Sequence, residues 1–348
     1  MITDTTKLAG NNHYLGNPHV KKDGIEEDWE PEKVQEYAKC MANPAFFAKN
    51  HIKIINLNDG LVPFDLYPYQ EDMFNHFKNN RFSVLLACRQ SGKSISSLAF
   101  LLWYALFNPE QTIAVLANRG ATSREMLGRI TLMLENLPFY LQPGCKTLNK
   151  TSIEFSNNSR IIAESTSSSS IRGFSVNLLF LDEFAFVEKA AQFYTSTYPV
   201  ISSGKDSKVI VCSTANGIGN QFHKIWEGAV QGVNEYKPFR VDWWDVPGRD
   251  EKWKEETISN TSEIQFDQEF GNTFFGTGQT LISPQTLLSL KAARTLRILE
   301  SGDMMMYEAP QRGSQYVICV DVAKGRGQDY STFNVIDISS RPFKQVAV

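Results

Sequence analysis

Eight consecutive residues, Ala87-Cys-Arg-Gln-Ser-Gly-Lys-Ser94, put a lysine and a hydroxyl directly behind a glycine. An apolar run, Ser83–Cys88, precedes the turn, and a long apolar stretch, Ser94–Phe107, follows it. A tight turn from strand to helix aims backbone N–H groups and a helix N-terminus at one point, which suits a phosphate. In a loop of this kind Arg89, Gln90, Ser91 and Gly92 form the cradle. Lys93 reaches the β- and γ-phosphates, and the Ser94 hydroxyl takes a Mg2+ ligand position. Ala87 stands where the pattern normally has glycine.

A second pair of chemically capable residues closes another apolar run, Leu178-Leu-Phe-Leu-Asp182-Glu183. Asp182 at a strand end can hold Mg2+ through a water. Glu183 can orient and deprotonate an attacking water. The bland alternative is an acidic strand end facing solvent. Upstream, Tyr69-Gln70 offers a ring that stacks on a base and an amide that both donates and accepts, which suits an adenine edge. Such a pair is also common by chance. Two arginines could stabilise charge on a transferring phosphoryl group, an effect that contributes about 10³–10⁵ in rate. Arg89 lies within the phosphate loop and would act in cis, unless it pairs with Glu183 or with DNA. Arg172 follows a serine-rich loop, Thr166–Ser170, unless it is a surface arginine.

The elements that must position these residues alternate. Strand-like runs at Ser83–Cys88, Thr112–Ala117, Asn177–Leu181 and Lys208–Ser213 are interleaved with helical patterns at Ser94–Phe107, Ala121–Leu137, Gly219–Val230 and Asp250–Asn272. Thr151–Phe155 and Arg160–Ser165 flank Asn157-Asn158 as a hairpin. Strands alternating with helices predict an α/β domain with a mainly parallel sheet. Pro31–Ala42 reads as a helix behind a polar, mobile tail. Leu288–Arg312 is helix-like and then linker-like, and strands restart at Tyr316–Asp321 and Ser331–Ile338. Two strands bury no core by themselves, so this last segment reads as the truncated start of a second domain. The expected division is 1–60 for the tail and helical segment, 61–290 for the phosphate-loop domain, 291–312 for a linker and 313–348 for the second domain.

Composition narrows the class. The chain has 348 residues, 42% hydrophobic and 21% charged, which is ordinary for a globular protein and long for one core. No apolar run approaches the roughly 18 residues of a membrane span, and no membrane partner is expected. The net charge of −3 argues against a protein that coats nucleic acid. It leaves room for a local phosphate-gripping patch. The five cysteines are scattered, as in a reducing cytoplasm. The histidines show no zinc-type spacing, and no structural metal is expected.

Taken together, these residues resemble the large terminase subunit of tailed phages, especially the contractile-tailed type. The similarity runs from about Tyr67 to the C-terminus. It rests on Arg89-Gln-Ser-Gly-Lys93, on Tyr69-Gln70, on Ser213-Thr-Ala-Asn-Gly217 after a strand, and on Asp321-Val-Ala-Lys-Gly-Arg-Gly-Gln-Asp329. Pro199-Val-Ile-Ser-Ser-Gly204 also looks like this family, without a chemical role to assign. The resemblance implies a P-loop NTPase of the additional-strand, catalytic-Glu type, with Lys208–Ser213 between the phosphate-loop strand and the Asp182 strand. Ser213 and Thr214 would then couple γ-phosphate loss to movement, and Arg172 could reach a neighbouring subunit's nucleotide. A ribonuclease-H-like nuclease would follow, with Asp321 bridging two metals (Mg2+ or Mn2+) and Asp329 supporting it. Its other carboxylates would lie beyond Val348, and Lys324 puts a cation inside the motif, so no competent nuclease is expected in this chain.

The implied activity is ATP hydrolysis with Mg2+, coupled to movement of double-stranded DNA into a procapsid. The implied partners are DNA, the portal protein, the small terminase subunit and further copies in a ring. The implied setting is the host cytoplasm and transiently the portal, not the mature virion. Two other readings compete. A two-lobed helicase-like ATPase would need a second lobe where Asp321 and its hairpin stand. A non-catalytic assembly fragment would lack ATPase activity.

Overall fold

The computed structural model describes residues 12–166, 175–202, 204–275, 295–298, 304–322 and 331–348. The chain forms two compact units, Met1–Gln279 and Thr280–Val348.

The first unit opens with a small hairpin, β1 (His13–Tyr14) and β2 (Asn17–Lys21). Val20 is fully buried, and the Lys21 N–H donates to Gln142 Oε1 at 2.9 Å. The segment before the first helix, from Asn12 on, is therefore built into the domain. Helix α1 (Pro31–Ala42) starts on a proline, whose missing N–H costs nothing in a first turn. Asn43 separates it from α2 (Pro44–His51) and caps it, its side chain accepting from Phe46 N–H. A second hairpin, β3 (Lys53–Asn56) and β4 (Gly60–Pro63), leads to α3 (Pro68–Asn79).

The central strands come next: β5 (Phe82–Ala87), then α4 (Lys93–Phe107), β6 (Thr112–Ala117), α5 (Gly120–Glu135), β7 (Cys145–Leu148), β8 (Ser152–Phe155), β9 (Arg160–Ser165) and β10 (Leu178–Leu181). Helix α6 (Ala190–Ser202), β11 (Lys208–Ser213), α7 (Gln221–Val230), β12 (Lys237–Val241), α8 (Glu251–Asn260) and α9 (Glu263–Glu269) complete the described part of this unit. The stretch Asp250–Asn272, read from sequence as one helical region, breaks at Thr261-Ser262, where Ser262 caps α9.

Eight strands form one sheet in the order β12-β5-β11-β10-β6-β9-β8-β7. The first six run parallel; β8 pairs antiparallel with β9 through the hairpin at Asn157-Asn158, and β7 pairs antiparallel with β8. This is an α/β P-loop NTPase architecture. Every residue of β5 is buried, which explains its unbroken apolar run. Period-two alternation sorts the side chains. Leu85, Ile113, Val115, Phe180 and Ile210 face one core with Phe74, Phe77, Phe100 and Leu127 from α3, α4 and α5. Val84, Leu86, Leu116, Leu181 and Val211 face the other, with Phe193 of α6 and Phe222 and Trp226 of α7. Helices thus cover both faces of the sheet, and all six parallel strands end on one edge.

The second unit contains β13 (Arg297–Ile298), β14 (Met305–Met306), β15 (Tyr316–Asp321), β16 (Thr332–Asp337) and β17 (Lys344–Ala347), ordered β13-β14-β17-β16-β15. The strands expected at 316–321 and 331–338 pair antiparallel, with Asp321 opposite Thr332. The stretch expected as a linker, 291–312, instead contributes β13 and β14 to this sheet, because its apolar residues pair with β17; the helix-like start expected at 288–294 lies outside the described residues. No helix among those described is long and apolar enough to cross a membrane.

Phe100 is fully buried and meets Phe74, Phe77 and Trp103 at ring separations of 5.4–6.4 Å. Phe100→Ala should cost about 3–5 kcal/mol, measured as a shift in the urea midpoint at unchanged slope.

Candidate nucleotide site

The site is assembled at the carboxyl ends of β5, β11 and β10. The turn from β5 into α4 needs two left-handed residues, Gln90 at φ 56° and Gly92 at φ 75°. The positive φ favours glycine at 92, and a Cβ there would also run into the Gln70 side-chain amide. Gln70 is buried, and its Oε1 accepts from the Tyr67 N–H at 2.9 Å. The Tyr69 hydroxyl donates to the Ser91 carbonyl at 2.7 Å. Tyr69 and Gln70 therefore brace the phosphate loop from behind. Burial, first of all, raises the Tyr69 pKa, so this hydroxyl stays a donor at neutral pH.

The strand register decides which carboxylate meets which partner. Leu181 of β10 lies opposite Val211 of β11, so the next two pairs are Asp182 with Cys212 and Glu183 with Ser213. The two carboxylates take separate partners. The Ser94 hydroxyl donates to the Asp182 oxygens at 3.1 and 3.3 Å, and the Cys212 thiol donates to Oδ1 at 2.8 Å. Glu183 Oε2 lies 3.4 Å from Ser213 Oγ and 3.5 Å from the Thr214 N–H. Glu183 Oε1 lies 2.9 Å from Lys93 Nζ.

Glu183 adopts left-handed backbone geometry, φ 48° and ψ 44°. A non-glycine residue held there costs roughly 1–3 kcal/mol and marks functional sites. The Ser213 hydroxyl accepts the Ala185 N–H at 3.2 Å, and Asn216 Nδ2 donates to the Ala185 carbonyl at 3.0 Å. These two bonds hold the turn behind Glu183 to the loop after β11.

The electrostatics follow from burial. Asp182 is 3% exposed. Burial and then the adjacent Glu183 raise its pKa, against the hydrogen bonds from Cys212 and Ser94 and the charge of Lys93. Burial works against the Lys93 charge as well, but Glu183, Cys212 and Asp182 more than offset it and its pKa is raised. An ammonium has three N–H donors, so a bond to Glu183 leaves Lys93 able to reach phosphate oxygens. A hydroxyl and a carboxylate converging within 3.3 Å match the hard oxygen ligands Mg2+ takes. The donor set fits that ion.

Arg89 is exposed and does not pair with Glu183. Its Nε lies 3.0 Å from Glu269 Oε2, and its N–H donates to the Glu269 carbonyl at 2.8 Å. Arg172 and Asp329 lie outside the described residues. Asp321 belongs to the second unit, on exposed strand β15.

Three contributors escaped the sequence reading. The Arg249 guanidinium donates to the Arg89 and Gln90 carbonyls at 3.0 and 3.2 Å and stacks over Trp253 and Phe270. Glu269 ends α9, and no sequence motif marks either residue. Cys212 had a usable signal, since it is one strand position before Ser213 and must face away from it.

A family model described as "Terminase large subunit, T4likevirus-type, N-terminal" matches residues 84–288, more than half of the chain. The chain belongs to the terminase large-subunit family. It is 24% identical over 184 residues to the large terminase subunit of Thermus virus P23-45. That match spans 49% of this chain and 36% of the relative, so the chain covers well under two thirds of that protein's length. The fold is similar to the large terminase ATPase domain of Thermus phage P74-26, with a TM-score of 0.52 at 20% identity over 61% of this chain and 94% of that one. It is also similar to the HK97 bacteriophage large terminase, with a TM-score of 0.57 at 14% identity over 88% of this chain and 67% of that one.

Charged hydrogen bonds contribute about 1.5–3 kcal/mol each. Arg249→Ala should therefore lower stability by at least that much in urea unfolding. Arg249→Lys should recover less than half, because an ammonium cannot span two carbonyls and stack on Trp253 together.

Proposed function

We propose that this chain is the ATPase motor of a viral terminase, coupling ATP hydrolysis to translocation of double-stranded DNA into a procapsid. One observation carries the reading. Lys93, Ser94, Asp182 and Glu183, which are up to 90 positions apart in sequence, converge within hydrogen-bonding distance at the ends of parallel strands. Membership of the terminase family supplies the biological setting. The partners in this reading are DNA, the portal protein, the small terminase subunit and further copies in a ring, meeting in the host cytoplasm and at the portal.

In this reading the residues divide the work. The phosphate loop holds the triphosphate, with Lys93 against the β- and γ-oxygens. Tyr69 and Gln70, which brace that loop, would also meet the adenine base. Ser94 and Asp182 hold Mg2+, which neutralises charge on the phosphate oxygens when bound. Glu183 takes the proton of the attacking water. Ser213 and Thr214 contact the same Glu183 carboxylate, so a change at the γ-phosphate reaches the loop after β11. Arg89 or Arg172 stabilises the transferring phosphoryl group. Asp321 and Asp329 belong to a two-metal nuclease site for Mg2+ or Mn2+ that requires further carboxylates.

Lys93→Ala should abolish ATP hydrolysis. Glu183→Gln should leave ATP binding intact and slow turnover by roughly 10²–10⁴-fold, because the amide keeps the shape without the base. Asp182→Asn should weaken Mg2+-ATP binding instead. Equal loss of nucleotide affinity in the two carboxylate variants would reverse these assignments.

The arginine trigger has its own test. Isolated chains should hydrolyse ATP slowly and assembled rings faster, with Arg172→Ala removing only the stimulated rate. Mixing Arg172→Ala chains with Glu183→Gln chains should restore activity if Arg172 acts on a neighbour. No recovery in a mixture shown to co-assemble assigns the trigger to Arg89.

A further inference from the structure

Glu36 and Cys40 stand four residues apart on α1 and so share a face. The capped turn at Asn43 folds α2 back along α1 and returns its last residue, His51, to that face. His51 Nε2 lies 3.0 Å from Glu36 Oε1. One ligand atom from each of Glu36, Cys40 and His51 lies within 4.8 Å of the other two.

We propose that Glu36, Cys40 and His51 form a binding site for a zinc-like divalent cation that fastens the N-terminal helical hairpin. A carboxylate, a thiolate and an imidazole are zinc's habitual ligands, held at about 2.0–2.3 Å. Three atoms already this close need side-chain shifts of about an ångström to surround the ion. The fourth position falls to water, because the Glu36 and His51 side chains keep 28% and 12% of their exposure. Oxygen-only ions such as Mg2+ and Ca2+ are excluded by the thiol.

The chemistry balances simply. A thiolate is the form that binds the ion, so binding releases the Cys40 thiol proton to solvent. Lys39, 3.6 Å from Glu36 Oε2, is the one cation paired to the carboxylate on α1 itself. The site also sits behind the motor. The Cys40 carbonyl accepts from Trp103 Nε1 at 2.8 Å, and Trp103 belongs to α4, the helix that Lys93 begins.

The metal-stripped chain should be titrated with Co2+ and back-titrated with Zn2+. The expected result is one Co2+ with intense tetrahedral d–d bands and a near-ultraviolet sulfur-to-metal band, all displaced by Zn2+. Cys40→Ser should remove the sulfur band, whereas Cys212→Ser, at the nucleotide site, should leave it. Glu36→Gln and His51→Gln, at partly exposed positions, should weaken Zn2+ binding by more than the roughly 10–100-fold that outer-shell changes cost. They should also abolish the rise in Tm that Zn2+ gives the unaltered chain. Absence of the sulfur band, its survival in Cys40→Ser, or unchanged Zn2+ affinity in both partly exposed variants overturns the proposal.

Discussion

The contact between Lys93 Nζ and Glu183 Oε1, at 2.9 Å, is the interaction around which this domain is arranged. An ammonium buried to this extent is unfavourable unless carboxylates surround it. Glu183 is 90 residues away in sequence, so the compensation has to come from another strand. The sheet delivers it by setting the ends of β5 and β10 on either side of β11. The same requirement explains the strained backbone at Glu183, which turns the carboxylate towards the phosphate loop instead of continuing the strand.

From that contact, coupling extends in two directions. Towards β11, Glu183 shares its second oxygen with Ser213 and the Thr214 N–H, and Ser213 is in turn tied to Ala185. Towards the chain's later helices, the phosphate loop carbonyls are gripped by Arg249, and Arg89 is gripped by Glu269. The Arg249 side chain is fixed by Trp253 of α8 and by Phe270, next to α9. The nucleotide site is therefore joined mechanically to two separate elements.

The same geometry separates two carboxylates that are neighbours in sequence. Asp182 is sealed among Ser94, Cys212 and Lys93, where burial raises its pKa and a metal ion would relieve the cost of its charge. Glu183 is more exposed, at 39% of its side chain, and open to water. Because Glu183 leaves the strand in left-handed geometry, its carboxylate reaches Lys93 while Asp182 stays on Ser94 and Cys212, and the two groups do not compete for the same position.

Much of this was legible from sequence. The unbroken apolar runs of β5, β6, β10 and β11 announce strands buried on both faces. The Gly-Lys-Ser turn announces a phosphate loop, because few other sequences bend a strand into a helix with a lysine at that point. The helix Pro31–Ala42 and the hairpin at Asn157-Asn158 are local features, set by a proline's fixed φ and by residues that tolerate a left-handed turn, and they occur where local chemistry puts them. What only the tertiary structure decided are the partnerships between distant residues. Glu269 on Arg89, Arg249 on two loop carbonyls, Cys212 on Asp182, and His51 beside Glu36 and Cys40 each join elements that no periodicity connects. The physical reason is the same in every case. Local propensity depends on neighbours along the chain, whereas a buried charge or a thiol is satisfied by whatever the packed sheet and helices bring within reach.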